Sequence, residues 1–166
     1  MNFEAIFKIM DEAFPDGEMR TYKGQKKLLE NEKYHIHEEL DEYGDLVGFL
    51  AYWTLDSCVF FEHLAVSSKL RGQGIGKNIL LKNIKDARLP IFLEVEPPET
   101  ELAKRRIAFY ERLGFCLNDF YYEQPPLRGN QTAQKLLIMS YPEPIAAEKF
   151  AKYKKEIYTN VYNTTI

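Results

Sequence analysis

The chain of 166 residues has only two cysteines, Cys58 and Cys116. Two cysteines far apart in sequence exclude a disulfide framework and a cysteine-based zinc site. They read as small buried residues of a reducing compartment. Basic residues are also short, 22 Lys and Arg against 25 Asp and Glu, for a net charge of -3. Nucleic-acid binding needs clustered cations, so that function class is not expected. No apolar run is long enough to span a bilayer. The opening "MNFEAIFKIMDEAF" carries acidic residues where a secretory leader would be basic, so the expected location is the cytoplasm, with no membrane partner. Repeats, low-complexity linkers and composition shifts are missing too. What is present is a 45% hydrophobic and 14% aromatic chain. That is enough to pack one core, and a single domain over residues 1–166 is expected.

The hydrophobic period changes along the chain. Phe3, Ile6, Phe7, Met10 and Phe14 recur at helical spacing, and Pro15 ends that stretch. A second short helix is expected over Tyr22 to Glu30. "YHIHEEL" from Tyr34 alternates, and "DLVGFLAYWTL" follows the turn residues Tyr43-Gly44-Asp45, which predicts a hairpin. "SCVFFEHLAV" up to Val66 supplies a third strand. Ile75, Ile79, Leu80, Ile84 and Ala87 form the next helical stripe, and "LPIFLEVE" from Leu89 is again strand-like. Strand, helix, strand in that order predicts a parallel pair with a right-handed crossover. A helix from about Glu99 to Leu113 carries Ala103, Ile107 and Tyr110 on one face, with Gly114 as its cap. "FCLNDFYY" and "AQKLLIMSY" are strands separated by a loop, and a last amphipathic helix falls within residues 143–160. The expected class is α+β.

"SSKLRGQGIGKNIL" (Ser67 to Leu80) places three glycines at the junction of a strand and a helix. Glycines there let a backbone approach an anion that the orphan amides of the helix start can bind. The dinucleotide fingerprint fails, because its third glycine would fall on Lys77. The P-loop fails at Arg71 and Asn78. The pattern R/Q-x-x-G-x-G/A is met in full by Arg71, Gly72, Gln73, Gly74, Ile75 and Gly76.

On those residues the sequence resembles the GNAT family of N-acetyltransferases. "EHLAVSSKLRGQGIG" looks like that family's fourth strand with its coenzyme A turn. "RRIAFYERLGF" (Arg105 to Phe115) looks like its later tyrosine-bearing helix and the strand after it. The likeness runs from Met1 to Tyr141. It implies a mixed, mostly antiparallel sheet of about six strands, with a parallel splay between the family's fourth and fifth strands (β4/β5 of that fold) and helices on its faces. The helix after Tyr141 is an extension. The strand that often opens the family is missing, since the helical pattern begins at Phe3. Many members carry Asn seven residues before the tyrosine, where this chain has Ala103.

The resemblance implies an acyltransferase that moves the acetyl group of acetyl-CoA to a primary amine by direct attack on the thioester. Arg71 to Lys77 would bind the pyrophosphate. The backbone of Leu64, Ala65 and Val66 would bond the pantetheine arm and the oxyanion. Tyr110 would protonate the leaving thiolate, its alternative being a plain core aromatic. Glu62 and Glu94 are the leading candidates for the base that takes the amine proton. Glu96 stands behind them, and a route through water stays open. The bland reading of the carboxylates is a buried ion pair or a solvated strand end. Tyr121 and Tyr122 are candidates for acceptor contact, with packing on the last helix as the alternative.

No metal is expected. His35 and His37 share a strand face but have no evident third ligand, and His63 reads as a packed or capped histidine. The cluster "KYKKE" from Lys152 reads as a solvated face. The acceptor is a small-molecule or peptide amine, and both monomer and homodimer are open. Two rival functions remain at this point. One is a GNAT-fold module that binds acyl-CoA as a sensor without chemistry, and the other is a dinucleotide-binding oxidoreductase domain.

Overall fold

The computed structural model describes residues 1–164, and the chain divides into two compact units. The first comprises Met1–Thr54 and Phe61–Asp86, and the second Leu55–Phe60 and Ala87–Ile166.

In the first unit, helix α1 spans Phe3–Ala13. It starts where Asn2 Oδ1 accepts from the Ala5 amide at 3.2 Å, filling one of the orphan donors of the first turn. Its apolar stripe buries Phe3, Ile6, Ile9 and Met10. Phe14 lies one residue past the helix, in extended backbone. Helix α2, Tyr22–Lys27, is capped in the same way by Thr21 and continues as a 3₁₀ turn over Leu28–Glu30. Strands β1 (Tyr34–Leu40) and β2 (Leu46–Thr54) form the expected hairpin, paired antiparallel from Tyr34 opposite Trp53. Asp41 closes the turn, its Oδ1 accepting from the amides of Tyr43 and Asp45 at 2.9 Å each. Strand β3 is Val59–Val66, and helix α3 is Ile75–Asp86. Phe49, Leu50, Trp53, Ile79 and Leu80 are fully buried in this unit.

In the second unit, β4 (Ile91–Val95) pairs antiparallel with β7 (Gln134–Tyr141), placing Glu94 opposite Ile138. Helix α4 (Glu101–Arg112) is capped by Thr100, whose Oγ1 accepts from the Ala103 amide at 3.1 Å. Gly114 follows it at φ 98°. The short strands β5 (Cys116–Leu117) and β6 (Tyr122–Gln124) both pair with β7, and α5 (Ala147–Asn160) closes the unit. "FCLNDFYY" is therefore two short strands rather than one. Asn118 explains the break. Its Nδ2 donates to the Ile138 carbonyl at 3.1 Å and to Ser140 Oγ at 3.0 Å, while its Oδ1 accepts from the Ile145 amide at 2.9 Å. A buried side chain that uses backbone partners in this way interrupts a ladder. Phe92, Phe120 and Tyr122 pack on Phe150 of α5, with ring centroids 5.2, 5.1 and 6.1 Å apart.

The strand order is β1-β2-β3-β4-β7-β5, with β6 joined to β7, and β3 and β4 run parallel. The parallel pair begins inside the second unit, where the Val59 amide donates to the Pro90 carbonyl at 2.9 Å. A parallel pair needs a crossover, and α3 is that crossover. Among the described residues α1 comes first, so the splay expected between the family's fourth and fifth strands falls to β3 and β4 here.

Candidate active site

The turn between β3 and α3 carries the glycines singled out in the sequence. Ser68–Leu70 make a 3₁₀ turn, and Gly72 and Gly74 follow with φ of 81° and 80°. Side-chain-bearing residues avoid that region, so glycine is required twice within three residues. A Cβ at either position would meet nothing within 4 Å. The requirement is thus conformational, and the space beside the turn is open. The first helical bond of α3 runs from the Asn78 amide to the Gly74 carbonyl at 3.1 Å. The amides of Ile75, Gly76 and Lys77 precede it and have no acceptor within the helix. Arg71, Gly72, Gln73, Gly74 and Lys77 are exposed, and Ile75 and Gly76 half-buried. Successive amides at a helix start beside cationic side chains suit a phosphate. The donor set therefore fits the pyrophosphate of a coenzyme A thioester.

Along β3 the side chains alternate from Phe61 onward. Phe61, His63 and Ala65 are buried, while Glu62, Leu64 and Val66 are half-buried. The Glu62 side chain is only 3% exposed although the residue as a whole is half-buried, so the surface it keeps is main chain. An accessible strand backbone can accept an extended ligand as an added strand.

The Glu62 carboxylate itself is enclosed. Oε1 accepts from Arg20 at 2.8 Å and Oε2 from Trp53 Nε1 at 2.9 Å. Burial would raise its pKa, but the Arg20 guanidinium, His63 and the Trp53 donor outweigh it and hold the group below the ordinary carboxylate value. The buried ion pair, one of the two bland alternatives, is what the structure places here. His63 Nε2 lies 2.7 Å from the Glu18 carbonyl, which can only accept, so Nε2 carries the proton. Its Nδ1 faces Glu62 Oε2 at 4.0 Å, and its ring stands edge-on to Phe14 at 4.8 Å. Burial lowers the pKa of His63, with Glu62 pulling the other way. It is the packed histidine the sequence suggested.

In the second unit, Tyr110 sits on the last turn of α4 with its ring against Phe109 and Phe115, at 5.2 and 5.7 Å. Burial pushes its hydroxyl up to about 12, with Arg106 pulling down. That hydroxyl makes no hydrogen bond to another of the described residues. Glu94 lies on β4 and accepts from Tyr122 on Oε2 and from Tyr162 on Oε1, both at 2.5 Å. Glu96 is one residue past β4 and half-buried. Tyr122 is 1% exposed, so packing on α5 is its observed environment, and burial raises its pKa well above the ordinary phenol value, with Glu94 adding to it. Tyr121 is 67% exposed and donates to Glu123. Ala103 is buried on the core face of α4.

The remaining histidines have local partners. His35 Nε2 meets Thr54 Oγ1 at 2.8 Å, and His37 Nε2 meets Glu39 Oε2 at 3.3 Å. Among the described residues, no group of three or more His, Cys, Asp or Glu is arranged to hold a metal ion. No helix among them is long and apolar enough to cross a membrane. The "KYKKE" cluster is not wholly solvated. Lys152 lies over the Tyr153 ring at 4.7 Å, and Glu156 accepts from the Ser57 amide at 3.0 Å.

Sequence reasoning missed Arg20, Trp53 and Tyr162 as partners of the two candidate carboxylates. Arg20 and Tyr162 stand outside every periodic stretch, and Trp53 reads only as a strand aromatic.

A strand-turn-helix junction with two left-handed glycines, on a sheet with one parallel pair, is what an acyl-CoA-dependent transferase of this kind requires, and the comparisons with known proteins give that class. The acetyltransferase (GNAT) family model matches residues 3–115. The chain belongs to that family. "Putative acetyltransferase YjbC" of Bacillus subtilis is 26% identical over 159 residues, covering 94% of this chain and 80% of that protein. A solved structure from Bacteroides thetaiotaomicron, "Putative acetyltransferase from GNAT family", is 31% identical. It superposes with a TM-score of 0.88 over 98% of this chain and 93% of that one. The fold is also shared, at 16% identity and TM-score 0.61, with a phosphinothricin acetyltransferase of Sinorhizobium meliloti solved with acetyl-CoA. That match covers 88% of this chain and 85% of the other.

Proposed function

We propose that the protein transfers the acetyl group of acetyl-CoA to a primary amine by direct attack on the thioester. The observation that carries this reading is the turn over residues 71–77, with its two left-handed glycines and three amides ahead of the first helical bond. Those amides, with Arg71 and Lys77, hold the pyrophosphate. The main chain of Leu64, Ala65 and Val66 bonds the pantetheine arm and supplies donors to the oxyanion.

The amine nitrogen loses a proton and forms the C–N bond to the acetyl carbon. The C–S bond then breaks, and the departing thiolate takes a proton from Tyr110. A phenol pushed up to about 12 stays protonated at neutral pH and is available as that donor. Of the two leading carboxylates, Glu94 is the better proton acceptor. The two phenol hydroxyls on it orient a carboxylate without cancelling its charge, whereas Glu62 is clamped to a guanidinium and acts as a structural anchor. Tyr121, exposed beside Glu123, is the acceptor contact, and Tyr122 acts through Glu94. The reading asks for no metal and no macromolecular scaffold, and places the reaction in the cytoplasm.

The test is release of free thiol from acetyl-CoA over a broad panel of amines. The wild type turns over, and Tyr110→Phe loses about 10²- to 10⁴-fold in kcat while its affinity for coenzyme A stays within threefold. Tight binding of acetyl-CoA with no turnover on any amine would transfer the case to the sensor reading.

A further inference from the structure

The extension after β7 is not a passive cover. Val161 continues α5 with an amide bond to the Ile157 carbonyl at 2.8 Å. Asn163 then adopts φ 50°, and the Thr164 amide returns to the Tyr158 carbonyl at 3.0 Å. A left-handed residue after the helix, followed by an amide that bonds back to a carbonyl of the last turn, is a closed helix end rather than a fraying one. That closure fixes where Tyr162 points. Its ring stands edge-on to Tyr158 at 6.2 Å and 87°, and its hydroxyl reaches Glu94. Tyr158 in turn packs on Tyr122 at 6.0 Å and donates to the Glu123 carbonyl, so the helix is stitched to β6 at two successive residues.

We propose that Tyr162 is a positioning residue for the proton acceptor. Donating to Glu94 Oε1 opposite Tyr122 on Oε2, it holds the carboxylate in one orientation. This rests on the reading of Glu94 as the group that takes the amine proton. Among the described residues, titratable groups at Glu94 include Tyr122 on β6 and Tyr158 and Tyr162 on the extension, and Glu123 and Tyr121 stand beside Tyr158. Its ladder neighbour on β7 is the apolar Ile138. An ionised carboxylate has about four lone-pair sites. The two phenols take one on each oxygen and fix the plane of the group. The hydroxyl donors favour the charged form, so removing one raises the pH at which Glu94 takes up a proton.

The experiment compares wild type, Tyr162→Phe, Tyr158→Phe and a chain ending at Val161. Two readouts are followed. One is the titration of the Glu94 carboxyl carbon by NMR, assigned with Glu94→Gln, and the other is the acid limb of kcat/KM. In Tyr162→Phe both move to higher pH together, by about one unit or more. The truncated chain moves them in the same direction. Tyr158→Phe, whose hydroxyl serves the Glu123 carbonyl instead, leaves both in place. An unchanged Glu94 titration in folded Tyr162→Phe overturns the proposal. So does a shifted titration with an unmoved acid limb. If the wild type acetylates no amine, the acetyl-transfer reading fails and the positioning role falls with it. An active wild type with an indifferent Tyr162→Phe sinks the positioning role alone.

Discussion

Replacing Arg20 by leucine tests the buried charge cluster of the first unit. The Arg20 side chain is 11% exposed and the Glu62 side chain 3%, with 2.8 Å between guanidinium nitrogen and carboxylate oxygen. Both members are buried, so solvent screening discounts little. Removing one partner of such a pair leaves an uncompensated charge and costs about 3–5 kcal/mol. For a chain of this length that is roughly a 6–20 °C fall in Tm.

The pH dependence carries the sharper test. In the wild type Glu62 has a lowered pKa, so its contribution is present above the unfolded value of 4.5 and is lost as pH falls through the folded value. His63, also lowered, stabilises above its unfolded value of 6.5, and that contribution is lost below it. The wild type therefore loses stability on acidification. Without Arg20, burial dominates Glu62 and raises it. The repulsion Arg20 exerted on His63 is gone as well, so the pair binds a proton more readily in the folded state. The stability gap between wild type and variant is thus largest near pH 8 and shrinks toward pH 5. Urea unfolding at both values measures it. The double change Arg20→Leu with Glu62→Leu should recover most of the loss, because two apolar groups replace the pair. A gap below about 1 kcal/mol at pH 8, or one that widens at pH 5, refutes the reasoning.

Three further outcomes are expected. Gly74→Val forces a β-branched residue to φ 80° and should cost about 1–2 kcal/mol, with at least a tenfold loss of coenzyme A affinity by calorimetry, since the cradle deforms before any side chain clashes. Asn118→Ala strands the Ile145 amide and removes the donor shared by Ile138 and Ser140. It should lower stability by about 2–4 kcal/mol in chemical denaturation. Cys58 is buried, and its thiol is pushed up to about 12 by burial and by Glu156, so a thiol reagent should leave it untouched in the native protein and modify it only on unfolding.

Much of this molecule is written locally. The helical stripe from Phe3, the hairpin turn around Gly44 and the glycines of residues 72–76 lie where the pattern placed them. The closing bonds of Asp41 and the Thr100 cap, which the pattern did not mark, also depend on neighbours within a few positions. The anion cradle belongs with them, because left-handed backbone and orphan amides are properties of a short segment. The family likewise follows from contiguous motifs. The partners of the carboxylates do not. Arg20 reaches Glu62 across 42 residues, and Tyr162 reaches Glu94 across 68. Nothing in the period of either stretch marks those pairings. Alternation could say that Glu62 and Leu64 share a face, but not that Trp53 and Arg20 would enclose one carboxylate while phenols held the other. That difference decides which carboxylate is an anchor and which is a candidate base, because burial, hydrogen bonding and nearby charge come from the surroundings rather than from the residue. The sequence determined most of the elements, the family and the left-handed glycine turn, and only the tertiary structure split the strand at Asn118 and assigned the acids their environments.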